Sequence, residues 1–276
     1  MKNKDFAVFI LTHGRPDNII TDKILKKCGY TGEIYYIVDN EDKTIDKYIK
    51  NFGKENVKIF DKKAIADKVD EGNNFDERRT ITHARNACFD IARDIGITYF
   101  IQLDDDYTSF MYRFPEGSLP IKNIDIVFDI LLDFFKKINI YTIAISQGGD
   151  HIGGFTKTEL RRKAMNSFIC STKRQFQFIG AMNEDVNTYT TLSSRGHIFF
   201  TYTSLQLCQK QTQSQAGGIT DMYLKYGTYC KAFTTVMMHP SGVRVSMMQT
   251  KNKRIHHTIN WNAVAPKIIQ EKYKKV

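Results

Sequence analysis

Short apolar runs alternate with amphipathic segments along the first half of the chain. The apolar runs have the length of strands and lie at 6–11, 34–38, 57–60 and 97–103. Between them, apolar residues recur at the three- and four-residue spacing of one helical face, from the end of the first run to Cys28, at 44–51 and at 80–94. Strands that alternate with helices of this length predict βαβ units and a mostly parallel sheet.

The second half of the chain has a less regular pattern. We expect helices at 124–138, 184–192 and 217–226, and strands at 141–146, 168–171, 176–179 and 198–202. The glycine-rich segment 148–154 and the glutamine-rich segment 209–218 are predicted loops. The chain shows no internal repeat and no clean linker. The sequence therefore predicts one α/β domain over 1–276, with a Rossmann-like, mostly parallel central sheet, helices on both faces and an irregular second half.

Composition narrows the class of protein. The chain is 42% hydrophobic and 25% charged, which excludes disordered, collagen-like and low-complexity proteins. No run approaches the roughly 18 apolar residues of a membrane span, and no signal peptide is visible at the N-terminus. The five cysteines are dispersed with no CxxC pair, which favours reduced thiols. We therefore expect a cytoplasmic protein without a membrane partner, and favour a monomer.

Charge is distributed unevenly along the chain. Residues 1–150 contain 22 Lys/Arg and 25 Asp/Glu, whereas residues 151–276 contain 18 and 5. This asymmetry indicates an anionic partner for the second half, with a solvated basic surface as the alternative. Aromatic and amide residues are interleaved with the basic clusters, as on surfaces that contact phosphates and stack bases. The candidate nucleic-acid-binding residues are Arg161, Arg162, Lys163, Lys173 and Arg174.

The most specific polar motif is the acidic run Asp104–Asp106 at the end of a predicted buried strand. Three adjacent carboxylates are costly to hold together unless a cation neutralises them. Their hard oxygen ligands suit Mn²⁺ or Mg²⁺. The alternative is an acidic turn that only ends the strand.

Polar residues also follow the first two predicted strands, at Thr12–Arg15 and at Asp39–Asp42. Ligands of open parallel sheets bind outside the carboxyl ends of the strands. We therefore expect both segments to line one site together with the acidic run. Arg15 could instead be a surface residue where a helix starts, and Asp39 a turn former.

A helix predicted to open with His83-Ala84-Arg85-Asn86, followed by a strand that ends in Leu-Asp-Asp-Asp, resembles the GT-A glycosyltransferases. In that class a DxD element binds the diphosphate of a nucleotide sugar through a divalent metal. The resemblance implies a GT-A type fold, with a nucleotide-sugar half at about 1–110 and an acceptor half at about 111–276. It also implies donor-binding roles for Thr12, His13, Arg15, Asp39, Arg85, Asp104 and Asp105.

A second motif of this class is Asn183-Glu184-Asp185 at the start of a predicted helix. Many inverting GT-A enzymes carry an acidic general base at this place, because an alcohol acceptor attacks poorly without a positioned proton acceptor. By this resemblance Asp185 is the expected catalytic residue, favoured over Glu184. The alternative is an ordinary helix start, where Asn and acidic residues are common.

A third motif, Arg254-Ile255-His256-His257, lies near the C-terminus. GT-A enzymes often complete the metal sphere with a histidine from this region, which implies Asp104, Asp106 and His256 as metal ligands. His239 and His257 are rival candidates, and the alternative is that the adjacent pair consists of exposed histidines without a metal role. Neighbouring residues of a strand point to opposite faces, so at most one of the pair is expected to bind the metal.

Within this class the chain resembles the base-J-type and phage DNA-base glycosyltransferases, the TET/JBP-associated group. The matching segments are 12–16, 103–106, 183–185, 217–223 and 254–257. The resemblance implies transfer from a UDP-sugar to the hydroxymethyl group of 5-hydroxymethyluracil or 5-hydroxymethylcytosine in DNA, in the host cytoplasm if the protein is phage-encoded. Two alternatives remain: a GT-A enzyme acting on a glycan, lipid or protein, and a metal-dependent nuclease or DNA-binding module.

Overall fold

The computed structural model describes most of the chain. The described residues are 1–72, 78–151, 157–209, 225–227, 229–248, 253 and 255–265. Most of the predicted helix at 217–226 and most of the predicted loop at 209–218 lie outside them.

The first half forms the alternating strands and helices that its pattern predicts, with boundaries that shift by one or two residues. The strands are β1 (Phe6–Leu11), β2 (Glu33–Asp39), β3 (Val57–Phe60) and β4 (Tyr99–Asp104). The helices are α1 (Ile20–Lys27), α2 (Ile45–Phe52), α3 (Lys62–Ala66) and α4 (Thr82–Asp94). The short helix α3 is the one element here that the pattern did not predict.

The second half contains both predicted and unexpected elements. Its strands are β5 (Tyr107–Phe114), β6 (Gly117–Pro120), β7 (Thr142–Gln147), β8 (Phe168–Ser171), β9 (Phe199–Gln209), β10 (Val243–Met247) and β11 (Ile255–Ile259). Its helices are α5 (Ile124–Lys137), α6 (Glu184–Ser194), α7 (Tyr229–Met238) and α8 (Trp261–Val264). The pattern did not predict the hairpins β5–β6 and β10–β11 or the helices α7 and α8.

Nine strands form one sheet in the order β3-β2-β1-β4-β8-β7-β9-β5-β6, and β10 pairs with β11 in a separate hairpin. The first four strands of this order are parallel, as predicted, and β7 and β9 are also parallel. Antiparallel pairs join β8 to β4 and β7, and join β5 to β9 and β6. The parallel part of the sheet is therefore the half that carries the predicted strand-end site.

Strand β1 explains why the N-terminal run is continuously apolar. Phe6, Val8 and Ile10 pack into one hydrophobic core with α5, whereas Ala7 and Phe9 pack into a second core with α4 on the opposite face. A strand that is covered on both faces needs apolar side chains at every position.

The predicted strand at 176–179 is wrong. These residues form no strand in the structure, although the buried side chains of Phe176 and Phe178 pack into the second core. An alternating apolar pattern reports which side chains are buried, and a buried loop produces the same pattern as a strand.

Candidate active site

The ends of three neighbouring strands lie at one edge of the sheet. In the strand register, Leu11 of β1 stands opposite Ile37 of β2 and opposite Asp104 of β4. Thr12 and Asp105 directly follow their strands and Asp39 ends β2, so the three residues lie at nearly the same level, where ligands of open α/β sheets bind.

The segment after β1 is attached to the acidic run by side-chain hydrogen bonds. Thr12 Oγ1 donates to Asp105 Oδ2 at 2.8 Å, and Arg15 Nη1 lies 3.0 Å from Asp105 Oδ1. Tyr48 of α2 lies 2.9 Å from the Thr12 hydroxyl and accepts the backbone amide of Arg15 at 2.8 Å. Asp105 thus uses both carboxylate oxygens to hold Thr12 and Arg15 in place.

A second polar group follows β2. His13 Nδ1 lies 2.6 Å from Asp39 Oδ2, and Lys62 Nζ lies 3.4 Å from Asp39 Oδ1. Burial opposes ionisation of Asp39, but the hydrogen bond from His13 and the charge of Lys62 lower its pKa overall. The His13 side chain remains 55% exposed, so it can contact a ligand while Asp39 orients it.

Arg85 of α4 lies in the interior, with 1% of its surface exposed. Its Nη2 donates to Asp104 Oδ1 at 3.0 Å and its Nε donates to Glu184 Oε1 at 2.9 Å. The guanidinium also lies over the rings of Phe168 and Phe178. The enclosed Arg85 side chain therefore joins the acidic run to the Asn183–Asp185 motif, and its role beside the donor stays a prediction.

The acidic run itself is crowded with negative charge. Burial raises the pKa of Asp104 to about 7, with Asp106, Glu184 and Asp105 adding to the effect and Arg85 opposing it. Burial also raises the pKa of Asp105. A divalent cation bound to oxygen ligands would relieve this crowding, so the donor chemistry of Asp104 and Asp106 fits a hard metal ion.

The predicted metal ligands include His256, which lies on β11, the strand that packs against α7. Among the described residues, no three His, Cys, Asp or Glu side chains are arranged as a ready-made metal site. The assignment of Asp104, Asp106 and His256 as ligands therefore stays a prediction. The rings of His256 and His257 lie 4.1 Å apart, which corrects the expectation that they point to opposite faces.

The start of α6 is fixed by its contacts with α7 and β11. Asn183 adopts a left-handed backbone conformation at φ 55°. Its side-chain amide lies within hydrogen-bond distance of the Lys231 carbonyl, the Thr235 hydroxyl and His257 Nδ1. His257 therefore supports the helix start, and burial together with the neighbouring cations lowers its pKa to about 3. His239, the other rival ligand, is buried at the end of α7.

Glu184 and Asp185, the two carboxylates at the start of α6, are in different environments. Glu184 is paired with Arg85, whereas Asp185 accepts the backbone amide of Val186 at 2.7 Å. Burial and the adjacent charge of Glu184 raise the pKa of Asp185 to about 6, and Lys231 opposes this shift. Asp185 thus has the raised proton affinity that suits a proton acceptor near neutral pH.

The predicted basic residues do not form one uniform surface. Arg161 and Lys173 are exposed, whereas Arg162 and Lys163 each lie 3.6 Å from Asp150. Arg174 Nη1 donates to the carbonyls of Phe135, Ile138 and Ile140 at 2.8–3.0 Å, where α5 ends. Its guanidinium closes that helix end, and its contact with DNA stays a prediction.

Sequence reasoning missed two residues of the site. Tyr48 and Lys62 belong to short helices whose patterns show only an apolar face, and their contacts with Thr12, Arg15 and Asp39 come from distant parts of the chain. It also missed the ion pair from Glu184 to Arg85, which are 99 positions apart. No local signal could have revealed these contacts.

The TET-Associated Glycosyltransferase family profile matches residues 6–218, well over half of the chain. This match defines the class of protein, the glycosyltransferases, and the fold of the chain is mixed α/β with a large, mostly parallel central sheet. The chain belongs to the TET-associated glycosyltransferase family. Curated protein sequences contain no match.

Among solved structures, the chain is similar to S. aureus TarS 1-349 in complex with UDP, with a TM-score of 0.47 and 9% identity. The similarity covers 84% of this chain and 64% of that one, so the chain spans less than two thirds of this relative. It is also similar to glucosyl-3-phosphoglycerate synthase from Mycobacterium tuberculosis in complex with Mn²⁺, UDP and phosphoglyceric acid, with a TM-score of 0.48, 11% identity and coverage of 92% and 86%.

The cysteines and the helices relate to two sequence-based expectations, reduced thiols and the lack of a membrane span. All five cysteines are free, with Cys28, Cys88 and Cys170 buried. None of the helices in the described part of the chain has the length and apolar character needed to cross a membrane.

Proposed function

We propose that the chain transfers a sugar from a UDP-sugar to the hydroxymethyl group of a modified pyrimidine in DNA, 5-hydroxymethyluracil or 5-hydroxymethylcytosine. The observation that carries this proposal is Arg85, which joins the strand-end acidic run to the start of α6 through two ion pairs. The family match supports glycosyl transfer as the reaction class, and the TET association of the family favours a modified base as the acceptor. Both halves of the chain contribute strands to one sheet, which supports a single catalytic domain.

The strand-end segment supplies the donor site. Arg15, whose side chain is 30% exposed, binds the diphosphate, and Asp105 and Thr12 position it. His13, oriented by Asp39, lies on the nucleoside side of the same edge. Asp104 and Asp106 would hold Mn²⁺ or Mg²⁺, and when bound this ion supplies positive charge to the departing diphosphate.

Asp185 is the general base of the proposed reaction. The hydroxymethyl oxygen forms a bond to C1 of the sugar, the bond from C1 to the diphosphate oxygen breaks, and UDP leaves with the electron pair. The hydroxyl proton passes to the Asp185 carboxylate, which gives an inverting mechanism. Arg85 already neutralises Glu184, and this favours Asp185 as the acceptor of the proton.

The acceptor can be identified directly. Purified protein is incubated with plain or hydroxymethylated DNA and a panel of UDP-sugars, and the digested nucleosides are analysed by mass spectrometry. A mass increase of one sugar on the hydroxymethyl pyrimidine, absent with plain DNA, is the expected result. Hydrolysis of UDP-sugars with no modified nucleoside would point to a glycan, lipid or protein acceptor. No reaction with any donor would favour the DNA-binding module.

Removal of the divalent ion is expected to abolish transfer, because burial and the adjacent carboxylates oppose the charge of Asp104 even beside Arg85, and a bound cation would compensate it. Asp106→Ala should have the same effect and should weaken UDP binding measured by calorimetry with Mn²⁺ present. Asp133→Ala, which alters an exposed carboxylate of α5, is the matched control. Full activity in excess EDTA contradicts the metal assignment.

Lowering the pH through about 6 should reduce kcat/KM in proportion to the fraction of Asp185 that is protonated. The rate falls as the pH falls because only the ionised Asp185 carboxylate can accept a proton. Burial raises the pKa of Asp185, so the carboxylate loses its charge at a higher pH than an ordinary Asp does. Initial rates at constant ionic strength measure the profile. A rate that stays constant down to pH 4.5 excludes a base of this kind.

DNA affinity should fall steeply as salt increases, by about 0.7–0.9 log units per phosphate contact for each tenfold rise in salt. Neutralising Arg162, Lys163 and Lys173 together should flatten this slope and leave UDP-sugar hydrolysis without DNA unchanged. Lys27→Gln on the exposed side of α1 should leave the slope as it is. Fluorescence anisotropy of a labelled oligonucleotide measures each salt slope. An unchanged slope in the triple variant would show that these basic residues form a solvated surface that does not contact DNA.

A further inference from the structure

An open cleft of about 930 Å³ lies in the second half of the chain. Segment 159–161, the turn before β10, the β10–β11 hairpin and the start of α8 surround it. Its polar and aromatic lining includes Arg161, Arg244, Thr258, Asn260, Trp261 and Asn262. None of these residues belongs to the proposed donor site or to the proton-transfer step.

Trp261 forms a fixed aromatic surface in this cleft. Its indole stacks on the buried ring of Tyr189, with centroids 5.9 Å apart and planes 10° from parallel. Tyr189 is packed in the second core, so it holds the indole in one orientation. The half-buried Trp261 keeps the remainder of its surface toward the cleft. Rigid aromatic surfaces of this kind stack nucleobases without regard to sequence.

Two exposed arginines complete the cleft. Arg161 lies before the basic pair Arg162–Lys163, and Arg244 extends from β10. Among the described residues, neither guanidinium forms an ion pair with a carboxylate. Glu159, the one acidic residue of the cleft lining, lies 3.9 Å from Arg162. Guanidinium groups remain charged at any physiological pH and match the geometry of phosphate oxygens. An aromatic surface beside two such groups fits a nucleotide, whereas a neutral glycan has no use for the charges.

The position of the cleft relates it to the reaction. Tyr189 follows Asp185 by four residues on α6, so the two lie on the same face of the helix about one 5.4 Å turn apart. We infer that the cleft binds a nucleotide of the DNA strand beside the modified pyrimidine, with its base on Trp261 and its phosphate at Arg161 and Arg244. This inference rests on the proposed DNA acceptor and adds a site for the flanking nucleotide.

Trp261 is the only tryptophan of the chain and therefore reports on its own contacts. Titration of the full chain with a short single-stranded oligonucleotide should quench its fluorescence, because a stacked base contacts the indole. An oligonucleotide of equal length with abasic sites has the same phosphates and should bind without the same quenching. Equal quenching by both, or DNA binding measured by anisotropy with no quenching, overturns the inference.

Variants separate the two parts of the cleft. Trp261→Leu should weaken oligonucleotide binding about 5- to 150-fold, whereas Trp261→Phe keeps an aromatic ring on Tyr189 and should lose much less. Arg161→Gln with Arg244→Gln should lower the salt slope by about 0.7 per residue. Arg195→Gln, at the exposed far end of α6, should change neither quantity. Thermal melting checks that each variant is folded, and equal binding by the Leu and Phe variants contradicts the stacking role.

The outcome for the cleft can be separated from the outcome for the proposed reaction. If mass spectrometry shows glycosylated nucleosides but the fluorescence of Trp261 does not respond to DNA, the inferred nucleotide site is wrong and the proposed function still stands. Quenching by base-containing oligonucleotides without any glycosylated nucleoside supports the cleft and removes the proposed reaction. If soluble glycans quench the Trp261 fluorescence and oligonucleotides do not, the inferred nucleotide site is wrong and a glycan acceptor is favoured.

Discussion

Replacing Asp185 with Asn is expected to lower kcat by about 10²- to 10⁴-fold, the usual contribution of a general base. The amide retains the shape of the side chain but cannot accept the proton of the hydroxymethyl group. The α6 start is held by Asn183 and the Glu184 carboxylate by Arg85, so neither anchor depends on the Asp185 charge. KM for the UDP-sugar and Kd for DNA should therefore change little, and initial-rate kinetics with both substrates varied measure this difference.

Glu184→Gln is the matched comparison, since it neutralises the adjacent carboxylate. Its main expected effect is a weaker hydrogen bond to Arg85, which lowers the free energy of unfolding. Its effect on the proton-transfer step should be smaller. If Asp185→Asn keeps a near-normal kcat and a folded Glu184→Gln protein is inactive, the general base is Glu184. High activity in both variants would instead favour a retaining reaction that needs no enzymic base.

Replacing Arg85 with Met is expected to reduce the free energy of unfolding by about 3–5 kcal/mol, the cost of leaving buried charge partners uncompensated. Arg85 is fully enclosed, and its loss leaves Asp104 and Glu184 close together without a cation between them. Urea unfolding followed by circular dichroism measures the change.

The comparison variants test whether charge is the cause. Adding Asp104→Asn and Glu184→Gln to Arg85→Met removes the unpaired charges and should recover part of the lost stability. Arg15→Met, which removes a partly exposed partner of Asp105, should cost about 1 kcal/mol or less. An Arg85→Met protein as stable as the wild type would contradict the central role assigned to this ion-pair group.

Several features of the fold could be predicted from the sequence because they depend on short-range patterns. The run at 6–11 is apolar at each position since β1 is covered on both faces, and the spacing at 80–94 follows the buried side of α4. The acidic run after β4 could be placed at a strand end for the same reason. The hairpin β5–β6 was missed, because its exposed residues weaken the alternating pattern.

The sequence by itself determined the alternating strands and helices of the first half, the polar segments at their ends and the two acidic motifs. Only the tertiary structure decided how those motifs are connected. Arg85 reaches Glu184 across 99 positions of sequence, Trp261 stacks on Tyr189, and Arg174 closes the end of α5. Local periodicity reports which side chains are buried, whereas the partner of a buried charge depends on how distant elements pack together.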